Sequence, residues 1–470
     1  MSRPLLARAC ALLPLLACAA TPDPERPLAA NGAAGTRDAA AAVSALELLP
    51  ERSTSLTART PEDLEDPRET AFWEAAADAF GAAQRAARRE VLARTAAVTS
   101  AGAPEPVRVS VTDHNFDPDA ALLEAMITFD LLGALGAGPN AAAREVANAA
   151  QLVALGEYER VLWRGRVQVR RARLALAGVR GRTAALDELA RSAEPGLRRI
   201  AVLEEHGRVP ADLAAGARAM AARLERLRSV AAVEEAEAVR ALALAAGLAP
   251  DDRALEAVQP DLLDAGPHGS HLVETAAAAQ RHPDLRAREL AYALAEARVR
   301  AVAARAWPGV ALGPHIGSPD GSLDPLQWGG LLRLRLPWPS AWEGELAAAA
   351  QRREAAREAY EDAALALAAE ARSAEERVRS LEARVGATTV VLDEGTRAVW
   401  DATTAAFLVA QRDAGAWIGA LERRTNAVGA PAMDAAALAL ARLDVEAARG
   451  PVAAPRARAT ERRSNEGGIR

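Results

Sequence analysis

The sequence predicts a mainly α-helical protein with a small β part, in which four short strands are set among long helices. Three observations carry that prediction. Half of the residues are apolar but only 3% are aromatic, and alanine, the best helix former and a poor filler of volume, supplies much of the apolar share. Strict alternation of apolar and polar residues is confined to four short stretches. The order helix, strand, strand, helix, turn, helix occurs twice along the 470 residues.

The N-terminus comes first. Arg3 and Arg8 precede a short apolar run from Ala9 to Ala17, the pattern of a secretory leader over 1–17. Leu15-Leu16-Ala17-Cys18 resembles a bacterial lipoprotein box, which implies Cys18 as the lipid-bearing first residue; cleavage after Ala17-Cys18-Ala19 also satisfies the small-x-small rule. Either way no cysteine pair is left for a disulfide or a thiolate metal site. Residues 18–65 are rich in Ala, Pro, Thr and Glu with little periodicity and are expected to be irregular.

The first repeat spans 66–249. A helical pattern covers 68–98, and Val107–Thr112 alternates between Pro106 and the turn-forming Asp113-His114-Asn115. Alternation over Ala125–Leu131 sets Ile127, Phe129 and Leu131 opposite Thr128 and Asp130. Pro139 is well placed to open a helix running to 205, which Pro195-Gly196 should kink or interrupt. Gly207-Arg208-Val209-Pro210 is a turn, and 212–246 is a second helix closed by Gly247 and Pro250.

A linker rich in Asp, Pro and Gly fills 250–270. The second repeat, 271–449, then gives helix 271–305, strand 309–313, strand 330–336, one long helix 344–426, a turn at Val428-Gly429-Ala430-Pro431 and a helix 432–448. Leu332, Leu334 and Leu336 share one face of the last strand, and Arg333 and Arg335 the other. Such a strand is half-buried in a soluble protein; in a membrane barrel it is apolar toward lipid and charged toward a lumen. The tail 450–470, with Arg, Pro, Ser and Gly, is expected to be disordered. About 68 residues of helix at roughly 1.5 Å each span about 100 Å, a length that has to pack side by side with neighbouring helices.

Composition excludes several classes. A net charge of −6 gives no support to nucleic-acid binding. No run reaches about 18 apolar residues, so a spanning element would have to be a barrel. There is no Gly-rich phosphate loop after a strand, no His-Glu-x-x-His and no Gly-x-Ser-x-Gly. The expectation is therefore a non-enzyme without cofactor or metal; His268, His271 and His282 read as structural or solvated.

This order of elements resembles the TolC-like outer-membrane efflux proteins over most of 66–449. The motifs are Pro283-Asp284-Leu285 opening a helix, Pro308 at the following strand, and Leu336-Pro337 leading to the Gly344 helix; Asp66-Pro67 is the weaker counterpart in the first repeat. The resemblance implies a homotrimer in which each chain gives four strands to a twelve-stranded barrel and its helices to a periplasmic tunnel. It further implies outer-membrane lipid around the barrel and docking of a periplasmic adaptor, which links to an inner-membrane pump, at the helical turns. Those turns would be Gly207, Arg208 and Val209, and Val428, Gly429 and Ala430, the latter similar to the Val-Gly-small motif of family tips.

On that basis the lumen of the barrel is assigned to Arg108, Thr128, Asp130, Arg333 and Arg335, and its lipid face to Ile127, Phe129, Leu332, Leu334 and Leu336. Trp328, Trp338 and Trp342 are placed for an interfacial girdle or for packing at the helix–strand junction. Asp212 and Asp434, five residues past Gly207 and Gly429, are candidates for the tunnel mouth as well as helix caps. Two departures from the family pattern stand out: Pro195-Gly196 interrupts a helix near a tip, and helix 432–448 is short against 212–246, which would leave the tunnel wall incomplete. The alternative from another class is a lipid-anchored coiled-coil adaptor or scaffold with no barrel.

Overall fold

A computed structural model of the chain describes residues 70–101, 108–113, 123–130, 139–259, 282–306, 309–318, 327–335, 339–386 and 390–450. The elements are α1 (Thr70–Phe80), α2 (Ala82–Ala101), β1 (Arg108–Asp113), β2 (Leu123–Asp130), α3 (Pro139–Glu205) and α4 (Ala211–Ala246). A 3-10 turn (Arg253–Ala257) follows. The second repeat gives α5 (Pro283–Ala304), β3 (Gly309–Ser318), β4 (Gln327–Arg335), α6 (Pro339–Arg384), α7 (Val390–Leu408), α8 (Ala414–Ala427) and α9 (Ala430–Arg449). The fold is mainly α with a small β part. His268, His271, Cys18 and the segments 1–17, 18–65 and 450–470, Gly450 excepted, lie outside the described residues.

The chain forms two compact units, each drawing on both repeats. One holds the strands with α2, the first part of α3, α5 and the first part of α6. Its helices pack through small residues: a Cβ on Gly156 would lie 2.6 Å from the Leu290 side chain, so α3 and α5 approach closely only because that position is glycine. Arg286–Glu159, Arg160–Asp284 and Arg353–Glu296 pair across the helices around buried Leu285, Tyr292 and Val299.

The strands form one antiparallel sheet in the order β1-β2-β3-β4, so β1 and β4 are its two edges. β3 runs to Ser318, well beyond the alternation expected over 309–313, because β4 pairs with it through Gly317↔Gln327 and Ile316↔Trp328.

The other unit contains α1, most of α3, α4, the end of α6 and α7–α9. Here α3 and α4 form a first antiparallel hairpin. Arg182–Glu234 (2.6 Å), Arg228–Asp187 (2.7 Å) and Arg218–Glu204 (2.6 Å) step toward its turn. α1 seats Phe72, Trp73, Ala76 and Ala77 in a core with Leu176, Leu242 and Leu255. Asp78–Arg166 and Glu74–Arg170 tie it to α3. Burial raises the Asp78 carboxyl above its ordinary value of 3.8, against the lowering by its hydrogen bond from Arg166.

Two expectations are corrected here. Pro195-Gly196 does not break α3, which is continuous over 67 residues with Pro195 inside it. Gly196 instead gives room to an indole: a Cβ there would lie 2.3 Å from Cζ2 of Trp417. The helix expected over 344–426 is three helices, α6, α7 and α8, and the chain reverses between the last two.

Candidate functional site

The turns at the helix ends and the two faces of the sheet are the features that sequence reasoning selected for function. The first turn lies where it was expected. Gly207 has φ 66°, its N–H donates to the Glu204 carbonyl (2.9 Å), and the Arg208 N–H donates to that of Leu203 (2.8 Å). This left-handed closure uses the carbonyls a helix leaves unpaired at its C-terminus. A Cβ on Gly207 would meet nothing within 4 Å, so its backbone angle, not space, asks for glycine there. Arg208 is exposed and Val209 packs against the adjoining core.

The second turn is not at Val428–Ala430. It is at Val409–Asp413, with the same geometry: Ala410 has φ 62°, its N–H donates to Phe407 (3.1 Å), and that of Gln411 donates to Ala406 (2.8 Å). Asp413 caps α8 by accepting from the Ala416 N–H at 2.7 Å. Pairs across the hairpin converge on this point: Arg449–Glu375, Arg442–Glu382, Arg384–Asp434, Arg424–Asp393, and the Trp417 indole N–H on the Thr404 hydroxyl. No reversal at 428–430 is compatible with that ladder.

Val428 and Gly429 instead mark a short interruption between α8 and α9. Both are in the right-handed helical region, the Val428 N–H donates to Arg424, and Met433 donates to Gly429. Pro431 has no N–H to continue the ladder, which accounts for the interruption without a reversal of the chain. Val428 is buried, and the Arg182 side chain lies over Gly429. Together α8 and α9 run from Ala414 to Arg449, 36 positions (449 − 414 + 1), matching the 36 residues of α4. The last arm is therefore full length, and the expected shortfall disappears.

The expected tunnel-mouth pair also separates. Asp212 is exposed in the first turn of α4, beside the first turn of the chain. Asp434 is in α9, ion-paired with Arg384 at the end of α6 and largely covered; the misplaced turn had carried it along.

What fixes the second turn is aromatic packing that sequence reasoning missed. Trp417 is fully buried, with ring centroids 5.5 Å from both Trp400 and Phe407. The Trp400 indole donates to Ser192, and Arg199 sits over Phe407 while donating to the Leu408 carbonyl at 2.6 Å. Three rings of a chain with 3% aromatics meet at one place and hold α7 and α8 against α3. A signal was present in the spacing. The strands repeat at 205 residues (336 − 131) and the assigned turns at 222 (429 − 207), whereas Gly207 to Ala410 is 203.

In the sheet, register places every described candidate by face. Phe129↔Leu312↔Leu332 and Val310↔Leu334 lie on one face, with Ile127 beside Val109. Arg108↔Thr128, Asp130↔Ala311↔Arg333 and Gly309↔Arg335 lie on the other. One face is thus largely apolar on all four strands, whereas the opposite face mixes Arg108, Thr128, Asp130, Arg333 and Arg335 with glycines and with Met126, Ala311 and Leu331. Leu312, Trp328, Leu332 and Leu334 of the apolar face are exposed at 42%, 74%, 58% and 57%, so none of the described residues covers them. Leu336 and Trp338 lie outside the described residues, and Trp342 is half-buried.

Among the described residues no helix is long and apolar enough to cross a membrane. None of their acidic, histidine or cysteine side chains form a group able to hold a metal ion. His282, 2% exposed, places Nε2 3.0 Å from the Ala447 carbonyl near the end of α9.

No family model and no curated protein matches the sequence. Solved structures do match in fold. The Campylobacter jejuni CmeC outer membrane channel aligns with TM-score 0.66 and 14% identity, covering 84% of this chain and 88% of that one. The open state of the Neisseria gonorrhoeae MtrE outer membrane channel gives 0.66 and 17%, covering 82% and 89%. The outer membrane protein VceC of Vibrio cholerae gives 0.64 and 16%, covering 80% and 95%. Over at least four-fifths of its length this chain has the fold of those outer-membrane proteins.

Proposed function

We propose that this protein is an outer-membrane channel, the passive exit of an efflux or type I secretion system that carries small molecules from periplasm to exterior. One observation carries the reading: a four-stranded sheet whose apolar face none of the described residues covers, whose opposite face carries Arg108, Asp130, Arg333 and Arg335, and whose β1 and β4 are free edges. In water the apolar face would cost roughly 25 cal/mol for each Å² left exposed, and free edges would invite aggregation. Lipid against Leu312, Leu332 and Leu334, with closure of the edges by further copies, removes both difficulties. Three copies give twelve strands around a lumen that carries Arg108, Thr128, Asp130, Arg333 and Arg335.

The fold it shares with outer-membrane channels supports this reading. In it the helical hairpins line a periplasmic tunnel, and Cys18 carries lipid. The periplasmic adaptor, coupled to an inner-membrane pump, docks at the two matched turns Gly207–Val209 and Val409–Asp413. Transport is driven by the pump; the channel itself needs no cofactor.

The test is Cys18→Ala in the full chain. The variant is expected to stay in the membrane fraction, to require detergent, and to run as a heat-modifiable trimer. Release into the soluble fraction as a monomeric rod would replace the channel by the lipid-anchored scaffold.

A further inference from the structure

We infer that the end of the sheet nearest the helices forms a positively charged ring that makes the passage anion-selective; this rests on the channel reading above. The antiparallel order brings together the first residues of β1 and β3 and the last residues of β2 and β4. On the polar face this end holds Arg108, Arg333 and Arg335 against one acid, Asp130, which shares a row with Arg333 through Ala311. The positions of β3 between them are Gly309, Ala311 and Gly313, which add neither charge nor bulk. The other acid on this face, Glu124, pairs with Thr112 and Gly317 at the far end.

Ring closure sharpens the asymmetry. β4 and β1 are the free edges and run in opposite directions, so an antiparallel barrel sets β4 of one copy beside β1 of the next. Arg108 of a second copy then joins Arg333 and Arg335 at each seam, and the site is incomplete in a single chain. Three arginines against one aspartate give +2 per chain and +6 around three copies. A ring of arginines in a passage with low-dielectric walls concentrates anions and repels cations. Over a Debye length of about 8 Å at physiological salt, that charge reaches into the lumen.

The experiment is a reversal-potential measurement on the purified full-length protein in planar bilayers under a KCl gradient. Chloride is expected to permeate several-fold better than potassium. Arg108→Gln/Arg333→Gln/Arg335→Gln should bring the ratio to unity or below, while Arg333→Lys/Arg335→Lys should keep it above unity. A heat-modifiable trimer in each variant shows that the barrel still assembles. A conducting wild type that favours potassium, or a ratio unmoved by the triple variant, overturns the inference and leaves the channel standing. Absence of conductance in wild type overturns the channel reading and this inference with it.

Discussion

Substituting Gly196 by alanine tests whether an indole really holds the second hairpin in place. In an ordinary helix interior, Gly→Ala stabilises by roughly 0.5–1 kcal/mol because alanine loses less backbone freedom. Here the new Cβ would lie 2.3 Å from Cζ2, 2.5 Å from Cε2 and 3.0 Å from Cη2 of Trp417. The indole cannot retreat, being enclosed by Trp400 and Phe407 and hydrogen-bonded to Thr404 at 3.2 Å. Overpacking of this kind costs about 1–3 kcal/mol, so the two effects leave a net loss of about 1 kcal/mol. The decisive comparison is Trp417→Ala, itself costing about 3–5 kcal/mol. With the indole gone, Gly196→Ala should become stabilising by roughly 0.5–1 kcal/mol. Urea unfolding in detergent, followed by far-UV circular dichroism, measures all four corners of the cycle. If Gly196→Ala has the same sign in both backgrounds, the close approach is not what positions α7 and α8.

The matched turns make a paired prediction. Ala410 holds a left-handed angle that costs a side-chain-bearing residue about 1–2 kcal/mol, so Ala410→Gly should raise the unfolding midpoint and Gly207→Ala lower it; like signs would remove the equivalence of the two turns. Asp78 predicts a pH effect. An acid with a raised folded-state pKa binds more protons folded than unfolded between the two values, so its contribution to stability falls as pH rises from 3.8, and the penalty is complete above the folded value. Asp78→Asn should therefore gain on wild type as pH rises through that window, read as the difference between their thermal midpoints. A difference that is flat, or that favours wild type with rising pH, would show that the Arg166 ion pair outweighs burial.

The faces of the strands were readable from the sequence because alternation follows from the backbone itself: Leu332 and Leu334 must share a face whatever surrounds them. The long helices were readable for a similar reason, since alanine-rich runs favour helix locally, and the duplication showed in the order of elements. The turns were legible only in part. Gly207 announces itself because glycine takes a positive φ without strain, whereas Ala410 gives no local signal at all.

Gly429 and Pro431 supplied the local signs of a turn, and Pro195-Gly196 those of a break, yet the chain reverses at neither place. Sequence alone determined what each backbone segment was able to do: alternate, extend as helix, or stop. Tertiary structure decided which permitted stop was used. Burying Trp400, Phe407 and Trp417 together against Gly196 requires α7 and α8 to meet, and removing that much aromatic surface from water outweighs the strain of one left-handed alanine.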